Sequence, residues 1–347
     1  MNSFINVFKI ENCHGISFSS FDKILIEGFL IYDDNLKTHT LDVTSLLEIE
    51  KSKIESCRII EIKNQYFYVH NRELFEINFS NLNVTKIYST REESLHPFPN
   101  DIVSVGSSNW RTKTQNFSLI KLPNQELLNW EDRRELLCVI NDVSVFSDGE
   151  IQELFAYDLS SKLVIWRLPF DKGITGRRYY QELPNDELLV QKYFDEGFGN
   201  LLKLNLKTGL IIWEIEKSIS FYNYDEKSKK LFGLGYIPGE YISSSFEIIN
   251  VATGEQEMQK DLHLQIPAHL TYYADGYLYF SGYKGDNITK IFGAVDVNTG
   301  EIEFTKTIET PNGETYRGSY DRPLVVGNRL YIRDQQKTLH IYERQNL

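Results

Sequence analysis

A short phrase recurs along the sequence, and this recurrence constrains the fold more than any other feature. It reads "DLSSKLVIW" at 158–166, "NLKTGLIIW" at 205–213, "NVATGEQEM" at 250–258 and "DVNTGEIEF" at 296–304. Each copy begins with Asp or Asn, and the last three copies have Gly four residues later. Gly adopts a positive φ without strain, and short polar side chains beside it hydrogen-bond the local backbone. The phrase therefore predicts a tight turn between two strands.

Weaker copies extend the pattern over most of the chain. With the first residue of each copy taken as an anchor, the anchors are Asp42, Asn78, Lys121, Asp158, Asn205, Asn250, Asp296 and, in a partial copy, Tyr342. Successive anchors are separated by 36 (Asp42 to Asn78) to 47 (Asp158 to Asn205) residues. This period is typical of propeller blades or solenoid repeats.

The intervals between anchors each fit four short strands, which excludes a helical-repeat array. In 250–296, the runs "HLTYYA" and "YLYFSG" flank Asp275 and Gly276, and Asp-Gly between alternating aromatic runs indicates a hairpin. In 205–250 the predicted strands are "LIIWEIE", "SISFYNYD", "KLFGLGY" and "SSFEIINV". Aromatic residues, which favour strands, make up 13% of the chain. We predict an all-β fold, a single β-propeller domain over 1–347.

The anchors also predict how many blades there are and how the ring closes. They favour eight four-stranded blades; seven would require a hairpin near 78–121 to lie outside the repeat. The last copy stops after its third strand, while "FINVFKI" (4–10) is a lone strand with alternating character. We expect this N-terminal strand to complete the C-terminal blade and close the ring, which removes free sheet edges.

Large apolar side chains recur eight residues after the anchors. They are Trp166, Trp213, Met258 and Phe304. A large side chain at a constant offset is expected to pack between neighbouring blades, so we interpret these residues as structural.

The repeat resembles a known one. "AYDLSSKLVIW" (156–166), "KLNLKTGLIIW" (203–213) and "AVDVNTGEIEF" (294–304) resemble the quinoprotein-like (PQQ-type) β-propeller repeat. The resemblance implies a propeller and little about activity, because this repeat occurs in enzymes and in non-enzymatic scaffolds. Quinone-dependent dehydrogenases of this superfamily carry adjacent cysteines, whereas Cys13, Cys57 and Cys138 are far apart. We therefore expect no cofactor.

Charge and cysteine content restrict the partners and the compartment. A net charge of −12 argues against nucleic acid, and it is explained by solubility or, as the alternative, by a basic surface on a protein partner. Three scattered cysteines suit a reducing compartment. The opening "MNSFINVFKIENCHG" is not typical of a signal peptide, and no apolar run approaches the roughly 20 residues of a membrane span. We expect a cytoplasmic protein without membrane contact.

No catalytic or metal constellation is evident in the sequence. The seven histidines form no ligand motif, and no pair of carboxylates is singled out. Tyrosines and arginines on or near predicted first strands could instead line one mouth of a central channel: Arg177, Arg178, Tyr180, Tyr222, Tyr272, Arg317, Tyr320 and Arg322. Both residue types are enriched at binding hot spots. The alternative is that they fill a narrow channel and hydrogen-bond each other.

The sequence thus favours a non-enzymatic propeller scaffold that binds a protein through one face or through the channel mouth. A specific form is a bacterial inhibitor or immunity protein that neutralises a basic toxin. The alternative is a hydrolase or lyase acting on a carbohydrate or another small polar molecule at that mouth. Function is expected in segments that do not repeat, such as 91–116, 171–180 and 310–323.

Overall fold

The described part of the chain consists of β-strands and turns. The computed structural model describes residues 3–10, 16–18, 24–26, 30–32, 38–40, 60–62, 65–70, 73–78, 83–89, 94–98, 102–109, 114–122, 125–132, 134–148, 152–170, 180–193, 198–218, 221–236, 243–267, 270–284, 289–309, 313–336 and 338–345. These ranges contain no α-helix, and so none that could cross a membrane. The all-β prediction is confirmed.

The strands are short and follow one another closely. They are β1 (Ser3–Ile10), β2 (Ile16–Phe18), β3 (Ile24–Ile26), β4 (Leu30–Tyr32), β5 (Thr38–Thr40), β6 (Ile60–Ile62), β7 (Gln65–His70), β8 (Glu73–Asn78), β9 (Asn83–Ser89), β10 (Ser94–Phe98), β11 (Ile102–Asn109), β12 (Thr114–Lys121), β13 (Gln125–Asp132), β14 (Glu135–Ile140), β15 (Val143–Asp148), β16 (Glu153–Asp158), β17 (Leu163–Pro169), β18 (Tyr180–Leu183), β19 (Glu187–Tyr193), β20 (Phe198–Asn205), β21 (Ile211–Ser218), β22 (Phe221–Asp225), β23 (Lys230–Tyr236), β24 (Ser243–Asn250), β25 (Gln256–Ile266), β26 (Thr271–Ala274), β27 (Tyr277–Lys284), β28 (Thr289–Asp296), β29 (Ile302–Lys306), β30 (Leu324–Val326), β31 (Arg329–Arg333) and β32 (Leu339–Gln345).

The strands pair mostly in chain order. Four-stranded sheets have the orders β2-β3-β4-β5, β6-β7-β8-β9, β10-β11-β12-β13, β14-β15-β16-β17, β18-β19-β20-β21 and β1-β32-β31-β30. The remaining strands form an eight-stranded sheet, β22-β23-β24-β25-β27-β28-β29 with β26 on β27. A single pairing, Gln265 with Tyr283, joins its two halves. Groups of four in sequence order are what the repeat predicts, while the number of blades and the closure of a ring stay predictions.

Two sequence expectations bear on particular sheets. The N-terminal strand β1 does complete the C-terminal sheet, since it pairs antiparallel with β32 from Ser3↔Gln345 to Ile10↔Leu339. The other expectation concerns 91–116, a segment without a close copy elsewhere in the sequence. It supplies β10, β11 and part of β12, which form a regular sheet with β13.

The contacts between Cα atoms divide the chain into two compact units. The first unit comprises residues 1–13, 189–203 and 211–347, and the second comprises 14–188 and 204–210. The prediction of one domain over 1–347 is not tested by this division and stays a prediction.

In the second unit the core is aromatic. Phe146 stacks on Phe155 with ring centroids 5.0 Å apart and on Phe117 at 6.3 Å. The first strand of one sheet lies beside the first strand of the next, β6 beside β10 and β10 beside β14. Cys138 of β14 is fully buried, and burial raises the pKa of its thiol. It is a free cysteine, whereas Cys13 and Cys57 lie outside the described residues.

In the first unit the core follows the same plan. Phe232, Phe246 and Phe280 are fully buried among the strands of the eight-stranded sheet. A second cluster, around Phe292, includes Tyr320 and Tyr342 and extends to the last sheet. Here too the first strands of adjacent groups lie side by side, β26 beside β30.

The recurring phrase forms the turn between the third and fourth strands of a group. The Oδ1 atom of Asn205 accepts hydrogen bonds from the backbone amides of Lys207 and Thr208, both at 3.0 Å. The Gly209 amide donates to the Asn205 carbonyl at 2.8 Å, and Gly209 has a φ of +70°. The anchors Asn250 and Asp296 repeat this pattern with Gly254 and Gly300. The predicted turn is confirmed.

The large side chain that follows each turn packs against the turn of the next repeat. The Nε1 atom of Trp166 donates to the Leu206 carbonyl at 2.6 Å. A Cβ added to Gly209 would lie 2.7 Å from the Trp166 ring. Trp213 contacts the turn of the next copy in the same way, through the Val251 carbonyl at 2.9 Å and Gly254. We call this contact the repeat joint, and it confirms the structural interpretation of the two tryptophans.

Candidate binding site

The predicted site residues fall into three groups. Arg177 and Arg178 lie outside the described residues. Tyr180 begins β18 and Tyr222 lies in β22, with only their strand positions described. Tyr272 of β26 and Arg317, Tyr320 and Arg322, which precede β30, belong to the first unit and have described side chains.

Arg322 and Tyr272 are brought together. The Cζ atom of Arg322 lies over the Tyr272 ring, 5.8 Å from its centroid, within the range of a cation–π contact. Arg322 is exposed and Tyr272 is half-buried. Arg317 is also exposed, on the same segment as Arg322. We call Tyr272, Arg317 and Arg322 the Tyr–Arg surface.

Two buried tyrosines hold the segment that carries both arginines. Tyr316 and Tyr320 are 8% and 4% exposed, and their rings stack with centroids 6.1 Å apart. The Tyr320 hydroxyl accepts a hydrogen bond from the Ile308 amide at 3.0 Å and lies 3.4 Å from the Lys290 carbonyl. Burial raises the pKa of both tyrosines. Tyr320 is therefore part of the core.

The far end of the segment is held by backbone hydrogen bonds. The Asp321 amide donates to the Arg333 carbonyl at 2.9 Å, and the Ser281 hydroxyl donates to the Asp321 carbonyl at 2.6 Å. Pro323, which follows Arg322, is buried. A proline restricts the residue before it to extended conformations, so the backbone of Arg322 is fixed on both sides.

A buried pair, His340 and Asp334, supports a turn that hydrogen-bonds to the segment. His340 and Asp334 are both buried, with 2.8 Å between Nε2 and Oδ2. Asp334 also accepts a hydrogen bond from the Thr338 amide at 3.0 Å, and the neighbouring Gln335 amide donates to the Ser319 carbonyl at 2.9 Å. Sequence reasoning missed Asp334 and His340, because nothing in their spacing distinguishes them from exposed hairpin residues.

The two exposed arginines differ from several other arginines of the described residues, which have carboxylate or hydroxyl partners. Recorded pairs are Arg167 with Glu153, Arg329 with Glu343, Arg333 with Asp321 and Arg344 with the Tyr279 hydroxyl. Within the described ranges, no ion pair joins Arg317 or Arg322 to a carboxylate. The arrangement can therefore bind an anionic group without first breaking an ion pair among these residues.

Two other features of the described residues bear on function. They contain no group of three or more His, Cys, Asp or Glu side chains that could hold a metal. In the second unit, the outer strand β17 exposes Leu163, Val164 and Ile165 at 64%, 40% and 39%, and Leu210 is 68% exposed. Exposed apolar runs of this kind are uncommon on a protein that has no partner.

Comparison with known proteins identifies the fold but no relative in sequence. No protein-family model matches the chain, and no curated protein matches its sequence significantly. BamB from Moraxella catarrhalis superposes with a TM-score of 0.52 at 10% identity, over 82% of this chain and 96% of that one. A chain of a mitotic checkpoint complex reaches only 0.49 at 12% identity, over 82% and 85%, and supports no conclusion.

The quinohemoprotein alcohol dehydrogenase ADHIIG from Pseudomonas putida HK5 is also similar. Its TM-score is 0.50 at 10% identity, over 80% of this chain and 63% of that one. The chain thus spans less than two thirds of the dehydrogenase's length. These two similarities show the fold alone, and that fold is a β-propeller.

Proposed function

We propose that this chain is a non-enzymatic β-propeller that binds a protein partner through the Tyr–Arg surface. One observation carries the proposal. Arg317 and Arg322 are exposed, and no carboxylate pairs with them within the described ranges, although the chain has 49 acidic and 37 basic residues. An arginine makes bidentate, charge-assisted hydrogen bonds to carboxylates, so an exposed arginine without such a pair is suited to an anionic group of a partner.

The way the segment is held also suits recognition. Binding costs conformational entropy when side chains and loops become ordered at an interface. Here the stacked, buried Tyr316 and Tyr320 and the hydrogen bonds of Asp321 fix the segment in the free protein. Tyrosine and arginine at a rigid site are typical of interface hot spots.

The net charge supports a finer form of the proposal. At −12, the chain attracts a basic protein at long range, as an inhibitor or immunity protein directed against a basic toxin would. A cytoplasmic location fits the buried, free thiol of Cys138, since disulfides are rare in reducing compartments. The alternative of a hydrolase or lyase needs converging carboxylates, but Asp321, on the same segment, lies 2.6 Å from the Arg333 Nε atom.

The test is a quantitative pull-down from lysate of cells that express the protein natively. The bait is wild type, a double charge reversal (Arg317→Glu with Arg322→Glu) and a matched control (Lys227→Glu with Lys284→Glu). Both control lysines are exposed in the same unit. We expect wild type and the control to retain one partner in stoichiometric amount and the double reversal to lose it. The three bait proteins should have equal melting temperatures. A partner retained equally by all three, or by none, contradicts the proposal.

A further inference from the structure

We infer that the Tyr–Arg surface binds side-chain carboxylates of an acidic protein segment. Arg322 supplies paired N–H donors to one carboxylate, the Tyr272 ring supports the guanidinium, and Arg317 provides a second cation. The inference rests on the proposed function and names the chemistry of the partner's contact. It differs from the expectation based on net charge, which concerns the partner as a whole.

The position of the carboxylate adjacent in sequence to Arg322 points to an acidic ligand. Asp321 is adjacent to Arg322 in sequence, yet it lies against Arg333, with Nε and Oδ2 2.6 Å apart. Its backbone amide and carbonyl are also occupied, by Arg333 and Ser281. The one acidic side chain of the segment 316–322 is thus engaged by the scaffold, while its two arginines face solvent.

The ring contact leaves the donors of Arg322 available. A cation held near a ring interacts through the charge of the guanidinium and not through its N–H groups. Those N–H groups match the two oxygens of a carboxylate in a bidentate pair, which an ammonium cannot reproduce. At 5.8 Å from the Tyr272 centroid, Arg322 is positioned without losing its capacity for two hydrogen bonds.

Net charge disfavours the main competing anion, a nucleic acid. A nucleic acid presents a long row of phosphates, and its binding depends on an extended basic surface. This chain carries a net charge of −12, so a polyanion would be repelled outside the local site. A short acidic segment of a protein needs only a local cation such as Arg322, and the remaining surface of that protein can be basic.

Direct titration of wild-type protein with defined peptides tests the ligand class. The probe is a short glutamate peptide with both ends capped. Isothermal titration calorimetry at low salt measures its binding to the protein. Three further reagents serve as controls: a glutamine peptide of equal length with a free C-terminal carboxylate, a capped lysine peptide, and inorganic phosphate as a competitor. We expect the capped glutamate peptide to bind, the lysine peptide not to bind, and phosphate to compete no better than acetate at equal ionic strength.

Variants locate the binding to Arg322. Arg322→Gln should lower the affinity for the glutamate peptide by about tenfold or more, as expected when a charge-assisted hydrogen-bonded pair is lost. Arg322→Lys, which keeps the charge, should recover only part of the affinity, and Lys227→Gln should behave as wild type. Equal binding by wild type and Arg322→Gln, binding only by the free-terminus peptide, or stronger competition by phosphate each overturns the inference.

The outcomes separate this inference from the proposed function. If the double reversal loses a protein partner in the pull-down but no glutamate peptide binds, the surface is an interface and the acidic ligand is wrong. If the peptide binds in an Arg322-dependent way but no partner is retained, the carboxylate site stands and the proposed function fails.

Discussion

Replacing Gly209 by Ala tests the physical basis of the repeat joint. Gly209 has a φ of +70°, where an L-residue loses about 1–2 kcal/mol. Its added Cβ would also lie 2.7–2.9 Å from three atoms of the buried Trp166 ring, which is rigid and hydrogen-bonded to Leu206. Overpacking of this kind costs a further 1–3 kcal/mol or so. We expect a total loss of about 2–5 kcal/mol in the free energy of unfolding.

Two references separate the steric part from the conformational part. Gly276 has a φ of +81°, but nothing lies within 4 Å of its added Cβ, so Gly276→Ala should cost only the roughly 1–2 kcal/mol of strain. In a Trp166→Ala background the ring is absent, and Gly209→Ala should fall to the same value. The coupling energy of this double-mutant cycle is then about 1–3 kcal/mol.

Urea unfolding followed by far-UV circular dichroism measures each variant. If Trp166→Ala does not fold, Trp166→Leu takes its place in the cycle, because leucine keeps apolar contact while removing the ring. The reasoning is refuted if Gly209→Ala costs no more than Gly276→Ala. It is equally refuted if the cost of Gly209→Ala is unchanged when the Trp166 ring is gone.

Three further predictions follow from single residues. Lys162 takes the glycine position in its copy of the turn with a φ of +59°, so Lys162→Gly should stabilise by about 0.5–1 kcal/mol in the same urea assay. Burial raises the folded-state pKa of Tyr279, Tyr316 and Tyr320. Their stabilisation is present below about pH 10 and is lost as pH rises through those raised values, so the part of the tyrosinate absorbance that is missing in a Tyr279→Phe, Tyr316→Phe or Tyr320→Phe variant should appear together with alkaline unfolding and not before it. Because Cys138 is buried and its pKa is raised, a thiol reagent should label it only after unfolding in a Cys13→Ser, Cys57→Ser background; rapid labelling of the native protein would contradict its burial.

Local chemistry made the strands and turns predictable. The hairpin at Asp275 and Gly276 joins β26 to β27, and both residues have positive φ, as the Asp-Gly pair indicates. The anchors Asn205, Asn250 and Asp296 each end a third strand. These features depend on residues within one turn of each other, so alternation and turn composition are enough to find them.

The candidate site was only partly predictable because it depends on contacts between distant residues. "TYRGSYDRP" shows that tyrosines and arginines are interleaved, but not which of them face inward. The structure buries Tyr320 against Phe292 and exposes Arg317 and Arg322. The engagement of Asp321 by Arg333 comes from a strand that follows later in the chain, and no sequence pattern specifies it.

Segment 91–116 belongs to a regular sheet although its sequence is not repeated. Its strands β10 to β12 have no close copy of the recurring phrase, and the anchor after them is Lys121 in place of Asp or Asn. A lysine side chain cannot accept the amide hydrogen bonds that Asn205 accepts. The strands nevertheless pair regularly, because backbone hydrogen bonds and the buried Phe117 and Leu119 suffice to hold them.

Stability and the proposed recognition therefore depend on different residues of the first unit. The repeat joint uses Trp213 and Gly254, whose side-chain and backbone atoms are buried against each other and are unavailable to a partner. Arg317 and Arg322 are exposed and contribute little to packing, so their identity is not required by the fold.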